Sequence, residues 1–203
     1  MKILIVDDHA IIRAGLKQLC ADIGADVLEA DSGAKALVLQ KSERPQLTVL
    51  DLNMPALSGL ELLRKLLRGD PAARVLVFSM HGEPVYAAKA LEIGAKGYVS
   101  KNASPAELRT ALSRIMGGTT YVESEIAQQL AALPNEHRQK LSERDLEILR
   151  LLGDGRSFTE IAVQLGLSYK TVANTATSIK SKLGVARTAD LIRLSLEMAL
   201  TGK

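Results

Sequence analysis

Three carboxylates, a hydroxyl and an ammonium stand at the ends of four apolar runs in this chain of 203 residues. Asp7 and Asp8 close Ile3-Leu4-Ile5-Val6, and Asp51 closes Leu47-Thr48-Val49-Leu50. Ser79 closes Val75-Leu76-Val77-Phe78, and Lys101 follows Gly97-Tyr98-Val99 by one residue. Brought together, these groups suit a divalent cation and a phosphoryl group. An adjacent aspartate pair at the end of a buried strand is costly unless a cation neutralises it. A third carboxylate at Asp51 completes an oxygen-rich site of the kind Mg²⁺ uses, with one or two carboxylates, a carbonyl and waters. The plain structural alternative is an ion-pair network that ties the strand ends together.

The elements that must position these groups are legible from periodicity. Strands nearly continuous in apolar residues belong to parallel sheets covered by helices on both faces. In such sheets ligands bind in the crevice at the carboxyl ends of the strands. From Lys2 to about Gly118 the apolar runs alternate with helical patterns, predicted over Ala10–Ile23, Gly33–Lys41, Leu60–Leu67, Pro84–Ile93 and Pro105–Met116. Ser32 and Ser104 are candidate N-caps, and Pro105 suits a first helical position. With Asp26–Ala30 as the weakest strand, five strands and five helices describe a flavodoxin-like α/β domain with a five-stranded parallel sheet over residues 1–122.

Residues 123–138 read as a linker that carries a short helix around Ser124–Ala132. Residues 139–203 read as a small all-α domain. There Ser142-Glu143-Arg144-Asp145 resembles a capping box opening a helix through Leu152. A helix over Thr159–Leu165, a turn at Gly166-Leu167-Ser168 and a longer helix over Tyr169–Leu183 form a helix-turn-helix. A last helix is predicted from about Thr188 to Leu200.

The net charge of +3 says little about nucleic acid, but its distribution says more. Between Ile161 and Ala189 the chain carries Lys170, Lys180, Lys182 and Arg187 and no acidic residue, a stripe able to meet phosphates. No run approaches the roughly 20 apolar residues of a membrane span. The N-terminus enters a strand at once, so no signal peptide and no membrane association are expected. The single cysteine, Cys20, falls on an apolar helical face and reads as a reduced core residue. Together these features place the protein in the cytoplasm.

Residues 1–122 resemble the receiver domain of bacterial response regulators. The carriers are Ile5-Val6-Asp7-Asp8-His9, Val49-Leu50-Asp51-Leu52-Asn53-Met54-Pro55 with Gly59, Phe78-Ser79 and Gly97-Tyr98-Val99-Ser100-Lys101. The resemblance implies that Asp51 is the phosphoacceptor, served by a sensor histidine kinase. It also implies Mg²⁺ held by Asp8, Asp51 and the backbone carbonyl of Asn53, with Asp7 acting through water. Lys101 would neutralise phosphoryl oxygens, where catalysis is mostly positioning and electrostatics. Ser79 would donate its hydroxyl, and Tyr98 would swing inward as Ser79 moves. His81 would help set the lifetime of the phosphoryl group.

Residues 139–203 resemble the LuxR-type helix-turn-helix of the NarL/FixJ subfamily. The carriers are Leu141-Ser142-Glu143-Arg144, Ile148-Leu149-Arg150-Leu151-Leu152, Thr159-Glu160-Ile161-Ala162, Lys170-Thr171-Val172 and Lys182-Leu183-Gly184-Val185. On a helical wheel Val172, Ala176, Ile179 and Leu183 share the buried face. Lys170, Ala173, Asn174, Thr177, Ser178 and Ser181 lie on the opposite arc, which would enter a major groove. Thr171, Lys180 and Lys182 are the remaining candidate DNA contacts. Asn174 can pair bidentately with adenine. The arc departs from the family in holding Ala173 and Thr177 where long polar residues are frequent. DNA binding is therefore expected to be weak in the monomer and to require a homodimer on paired half-sites. Leu191, Leu194 and Met198 form a stripe that is either core or dimer seam.

The expected function is a transcription factor switched by phosphorylation, not an enzyme. Two alternatives belong to other classes. A phospho-switched protein-interaction module would keep the receiver but have lost DNA binding. An Mg²⁺-dependent aspartyl phosphohydrolase of the haloacid dehalogenase type needs a second Asp two residues after the nucleophile, where this chain has Asn53.

Overall fold

The computed structural model describes residues 1–54, 59–80, 84–132, 141–183, 185–192 and 195. Six strands, β1 (Lys2–Val6), β2 (Asp26–Ala30), β3 (Leu47–Leu50), β4 (Val75–Ser79), β5 (Gly97–Ser100) and β6 (Tyr121–Val122), form one sheet of order β2-β1-β3-β4-β5-β6. All its pairings are parallel. The helices between them are α1 (Ala10–Ala21), α2 (Gly33–Glu43), α3 (Gly59–Gly69), α4 (Pro84–Ile93) and α5 (Pro105–Met116). The sheet has one strand more than the five expected. β6 contributes only two residues, too few for a period-2 pattern to show, and it is fixed by pairing Tyr121 with Gly97.

Alternation along the strands sorts side chains into two layers, because successive strand residues point to opposite faces. Ile3, Ile5, Leu47, Val49, Leu76 and Phe78 pack with Leu16, Leu19, Cys20, Leu108, Leu112 and Ile115 from α1 and α5. Leu4, Val6, Leu50, Val75, Val77 and Tyr98 face Leu62, Leu63, Leu66, Ala87 and Ala90 from α3 and α4. Cys20 is free and fully buried, and burial pushes its thiol up to about 11, which leaves it an inert core residue.

The two N-cap expectations part. Ser104 accepts a hydrogen bond from Glu107 N at 3.1 Å and precedes Pro105, whereas the Ser32 hydroxyl makes no cap bond to α2 and lies 3.3 Å from Asp31 Oδ1. Gly59 opens α3 against the backbone of Leu52. A Cβ there would sit 2.2 Å from Leu52 Cα and 2.6 Å from its carbonyl oxygen. Neither neighbour can yield as a side chain could. Gly59→Ala is expected to lower stability by about 1–3 kcal/mol, the usual cost of overpacking, read from the midpoint of urea unfolding. An unchanged midpoint would mean that Gly59 at the start of α3 is not packed against Leu52.

Past the sheet, α6 (Ser124–Ala132) is docked rather than free: Ile126 is buried within the cluster that includes α4. The helical unit consists of α7 (Glu143–Gly153), α8 (Phe158–Leu165) and α9 (Tyr169–Leu183), with residues 188–192 helical beyond them. The Ser142–Asp145 capping box is present, with Asp145 N to Ser142 Oγ at 3.1 Å and Ser142 N to Asp145 Oδ2 at 2.8 Å. A second box, Ser157–Glu160, opens α8 one residue before the expected start. Val172, Ala176 and Ile179 are buried as the wheel requires, and Leu183 is half-buried. Leu191 is fully buried and so belongs to the core, while Leu194 and Met198 lie outside the described residues.

Candidate functional site

The sheet order reverses direction between β1 and β3, and at this switch point a doubly wound sheet opens a crevice. Continuing ladder bonds pin both rims: Asp7 N donates to Ala30 O at 3.1 Å, and Asp51 N donates to Val6 O at 2.9 Å. The carboxylates of Asp7 and Asp51 are therefore fixed by backbone rather than by loop. Each residue is 1% exposed.

Lys101 reaches this pair from the end of β5. Its Nζ lies 2.6 Å from Asp7 Oδ2 and 2.8 Å from Asp51 Oδ2, with its side chain almost wholly buried. Lys101 N donates to Ser79 O at 2.8 Å, so the fully buried Ser79 borders the same crevice from β4. Asp8 stands at the rim, its Oδ1 2.8 Å from His9 Nδ1, and His9 N donates to Asp7 Oδ1 at 2.8 Å. Asn53 N donates to Asp51 Oδ1 at 3.0 Å and closes the turn after β3. Five of the residues singled out by sequence, Asp7, Asp8, Asp51, Ser79 and Lys101, thus gather at one end of the sheet with Asn53 beside them. His81 and Pro55 lie outside the described residues.

Two neighbours were not singled out as site residues. Arg13 Nη1 donates to Asp7 O at 2.8 Å, one turn into α1, and His9 joins the cluster itself. Their sequence signal is position alone, immediately after the Asp pair. Tyr98 differs from expectation: it is already fully buried against α4 rather than waiting to swing inward.

Electrostatics in the crevice are unbalanced. Three carboxylates face one buried ammonium. Burial raises the Asp51 carboxyl above its ordinary value; its hydrogen bond and ion pair with Lys101 pull the other way but do not cancel the effect. A raised native value means that ionised Asp51 lowers stability once the pH exceeds that value. Asp51→Asn is therefore expected to stabilise the metal-free protein at pH 7. The gain should fade as pH falls toward the free-carboxyl value near 4 and be gone below it. Urea unfolding at pH 7 and pH 4 checks this, and a destabilised variant at pH 7 would contradict it.

The same imbalance suits a divalent cation. Ligand atoms of Asp7, Asp8, His9 and Asp51 lie within 4.8 Å of one another. Asn53 Oδ1 is a buried atom without a hydrogen-bond partner, and Asp8 Oδ1 meets only His9 Nδ1. Oxygen donors with surplus negative charge are the donor set Mg²⁺ prefers.

In the helical unit the candidate DNA contacts share one arc. Lys170, Thr171, Asn174, Thr177, Ser178 and Ser181 are exposed, and Ala173, Lys180 and Lys182 are half-buried. Three of them are already engaged, Thr171 through a 2.8 Å hydrogen bond between its hydroxyl and that of Ser168. The Lys182 ammonium grips the Asp145 carboxylate of the α7 capping box, and the Thr177 hydroxyl donates to Ala173 O at 3.0 Å. Among the described residues, none of the sheet domain covers the exposed part of the arc. Contact between the two units runs instead through α7: the Tyr86 hydroxyl of α4 donates to Leu146 O, and Arg64 of α3 pairs with Glu143.

An acidic crevice with a buried lysine on a doubly wound parallel sheet, followed by a helix-turn-helix, defines a receiver joined to a DNA-binding unit. The family described as "Response regulator receiver domain" matches residues 3–113, and "Bacterial regulatory proteins, luxR family" matches residues 139–195. The chain belongs to the response regulators that join a receiver to a LuxR-type DNA-binding domain. It is 41% identical to the transcriptional activator protein ExaE of Pseudomonas putida across 98% of both chains. It is 34% identical to the response regulator UvrY of Escherichia coli K12, covering 98% of this chain and 95% of that one. Among solved structures, it is similar to RcsB of Salmonella enterica serovar Typhimurium, bound to a promoter in the presence of a phosphomimetic. There the TM-score is 0.78 at 26% identity, over 97% of this chain and 98% of that chain. No helix among the described residues is long and apolar enough to cross a membrane.

Proposed function

We propose that Asp51 accepts a phosphoryl group from a sensor histidine kinase and that its phosphorylation controls dimerisation and sequence-specific DNA binding by α9. The observation that carries the reading is the bridge from Lys101 Nζ to Asp7 and Asp51 at 2.6 and 2.8 Å. It places a fixed cation beside a buried carboxylate nucleophile at the switch point. One Asp51 oxygen bonds phosphorus as the donor's bond to phosphorus breaks, giving an acyl phosphate. Lys101 is positioned to neutralise an equatorial phosphoryl oxygen, and Ser79 to donate its hydroxyl to another. Asp8, Asp51 and the Asn53 carbonyl would hold Mg²⁺, with Asp7 acting through water, and the bound ion would supply charge neutralisation at the phosphoryl oxygens.

This assignment divides the chain into a receiver over residues 1–122, a connecting segment over 123–138 and a DNA-binding domain over 139–203, acting in the cytoplasm. Because α9 keeps its arc exposed while α7 is docked, the proposed control is over placement and pairing of the output domains, not unmasking of the helix. Since Tyr98 is already inward, the switch passes through Ser79 and α4, which carries Tyr86 against Leu146.

Incubating the chain with Mg²⁺ and a small phosphodonor tests the reading. One acid-labile phosphate per chain and a rise in DNA affinity are expected. Lys101→Ala should still bind Mg²⁺ yet fail to raise DNA affinity on phosphorylation. An equal rise in this variant removes Lys101 from the switch. The interaction-module alternative predicts phosphorylation without any salt-dependent DNA shift. The hydrolase alternative predicts turnover of phosphate esters.

A further inference from the structure

A second cleft lies on the α2/α3 face, away from the acidic crevice. It encloses about 600 Å³ and is lined by Leu37, Gln40, Lys41, Arg44, Lys65 and Leu66, with Gly69 and Asp70 at one edge. That volume falls within the range of small-molecule sites, roughly 300–1,000 Å³. Its chemistry is two-sided. Leu37 and Leu66 supply an apolar wall, and three basic side chains stand around it against the single carboxylate of Asp70.

Three observations mark the cleft as more than a seam between helices. Gln40 is only 6% exposed, and its Oε1 accepts from the buried Thr48 hydroxyl at 3.1 Å. Its Nε2, a buried donor at the same wall, has no hydrogen-bond partner. Native proteins leave few such donors unmet. Arg44, the residue after α2, holds φ at +46°, a left-handed conformation usually given to glycine or asparagine. Strain of this kind gathers at ligand sites. Finally, Asp70 Oδ1 is already taken by Ala72 N at 3.0 Å, and Lys65 pairs with Glu61 at 3.0 Å. Among the described residues, Lys41 and Arg44 form no ion pair.

Complementing the carbonyl ends of α2 and α3 explains some basic charge here, but that effect is small and confined to the last turn. It explains neither the orphan amide of Gln40 nor Lys65, which sits a full turn before the end of α3. We infer that this cleft binds a small organic anion, with a phosphate or carboxylate head taken by Lys41, Arg44 and Lys65 and an apolar body laid on Leu37 and Leu66. Thr48 joins the site to the switch: it lies three residues before Asp51 on β3, roughly 10 Å at strand rise.

Hexyl phosphate and hexanoate titrated into the full-length protein, with inorganic phosphate and hexylamine as controls, test the inference by NMR. The side-chain amide of Gln40 and the methyls of Leu37 and Leu66 should shift with either amphipathic anion. Inorganic phosphate should bind at least tenfold more weakly, and hexylamine not at all. The exposed-residue variant Lys41→Ala/Lys65→Ala should fold normally and bind the anions at least tenfold more weakly. No shift at these residues in the millimolar range, equal binding of hexylamine, or unchanged affinity in the double variant would each overturn it. Because the readout is local to the cleft, it is independent of whether Asp51 is phosphorylated.

Discussion

Asp51→Asn is expected to take up no acid-labile phosphate from a small phosphodonor under conditions in which the parent chain should take up one. The expected effect is complete because no other carboxylate combines the required features. Asp7 is equally buried, and its oxygens are held in the same way by the His9 N–H and the Lys101 ammonium, but it ends β1, which β3 separates from the β4 strand that carries Ser79. Asp8 sits at the rim, its Oδ1 beside His9 Nδ1 and remote from the β4–β5 side where Ser79 and Lys101 stand. Asp51 alone lies centrally, anchored by Val6 O through its own N–H and by Asn53 N on one carboxylate oxygen, with Lys101 on the other. The variant should keep its fold, and the stability gain argued above makes that checkable on the same sample. Retained labelling would move the phosphoacceptor to another carboxylate, and the geometry would then favour Asp7.

The crevice was legible because its logic is one-dimensional. Polar residues that end buried apolar strands must meet at one edge of a parallel sheet, so Asp7, Asp8, Asp51, Ser79 and Lys101 could be placed together before any fold was in view. What escaped depends on tertiary packing. β6 is two residues long and exists only through its pairing to β5. Ser32 has the residue type and backbone of an N-cap, yet its hydroxyl lies against Asp31. Lys182 read as a phosphate contact because its helix position is on the basic stripe. Only the packing of α9 on α7 brings it to Asp145, whose place in the capping box was legible but whose second partner was not. The docking of α7 on α3 and α4 through Glu143–Arg64 and Leu146–Tyr86 has no periodic signature at all.

These losses bear on the second large effect. With Lys182 held by Asp145 and the Thr177 hydroxyl turned to its own helix, α9 offers Lys170, Asn174 and half-buried Lys180 as its chief polar contacts. One output domain should then bind DNA weakly. Two domains joined by receiver pairing gain an effective concentration that can raise avidity by roughly 10²–10⁴. Dimerisation and DNA affinity should therefore rise together on phosphorylation, by the same factor and over the same protein concentrations. The salt slope should stay modest, because each neutralised phosphate adds only about 0.9 to it and few cations per subunit are free to serve. Asp145→Asn offers an internal check: it frees Lys182 and should steepen the slope by about 1 per subunit without altering the response to phosphorylation. Sedimentation and DNA titration at several salt concentrations measure all three quantities. A phosphorylated monomer that binds one half-site as tightly as a palindrome would falsify the pairing mechanism and leave a change within the output domain itself as the source of control.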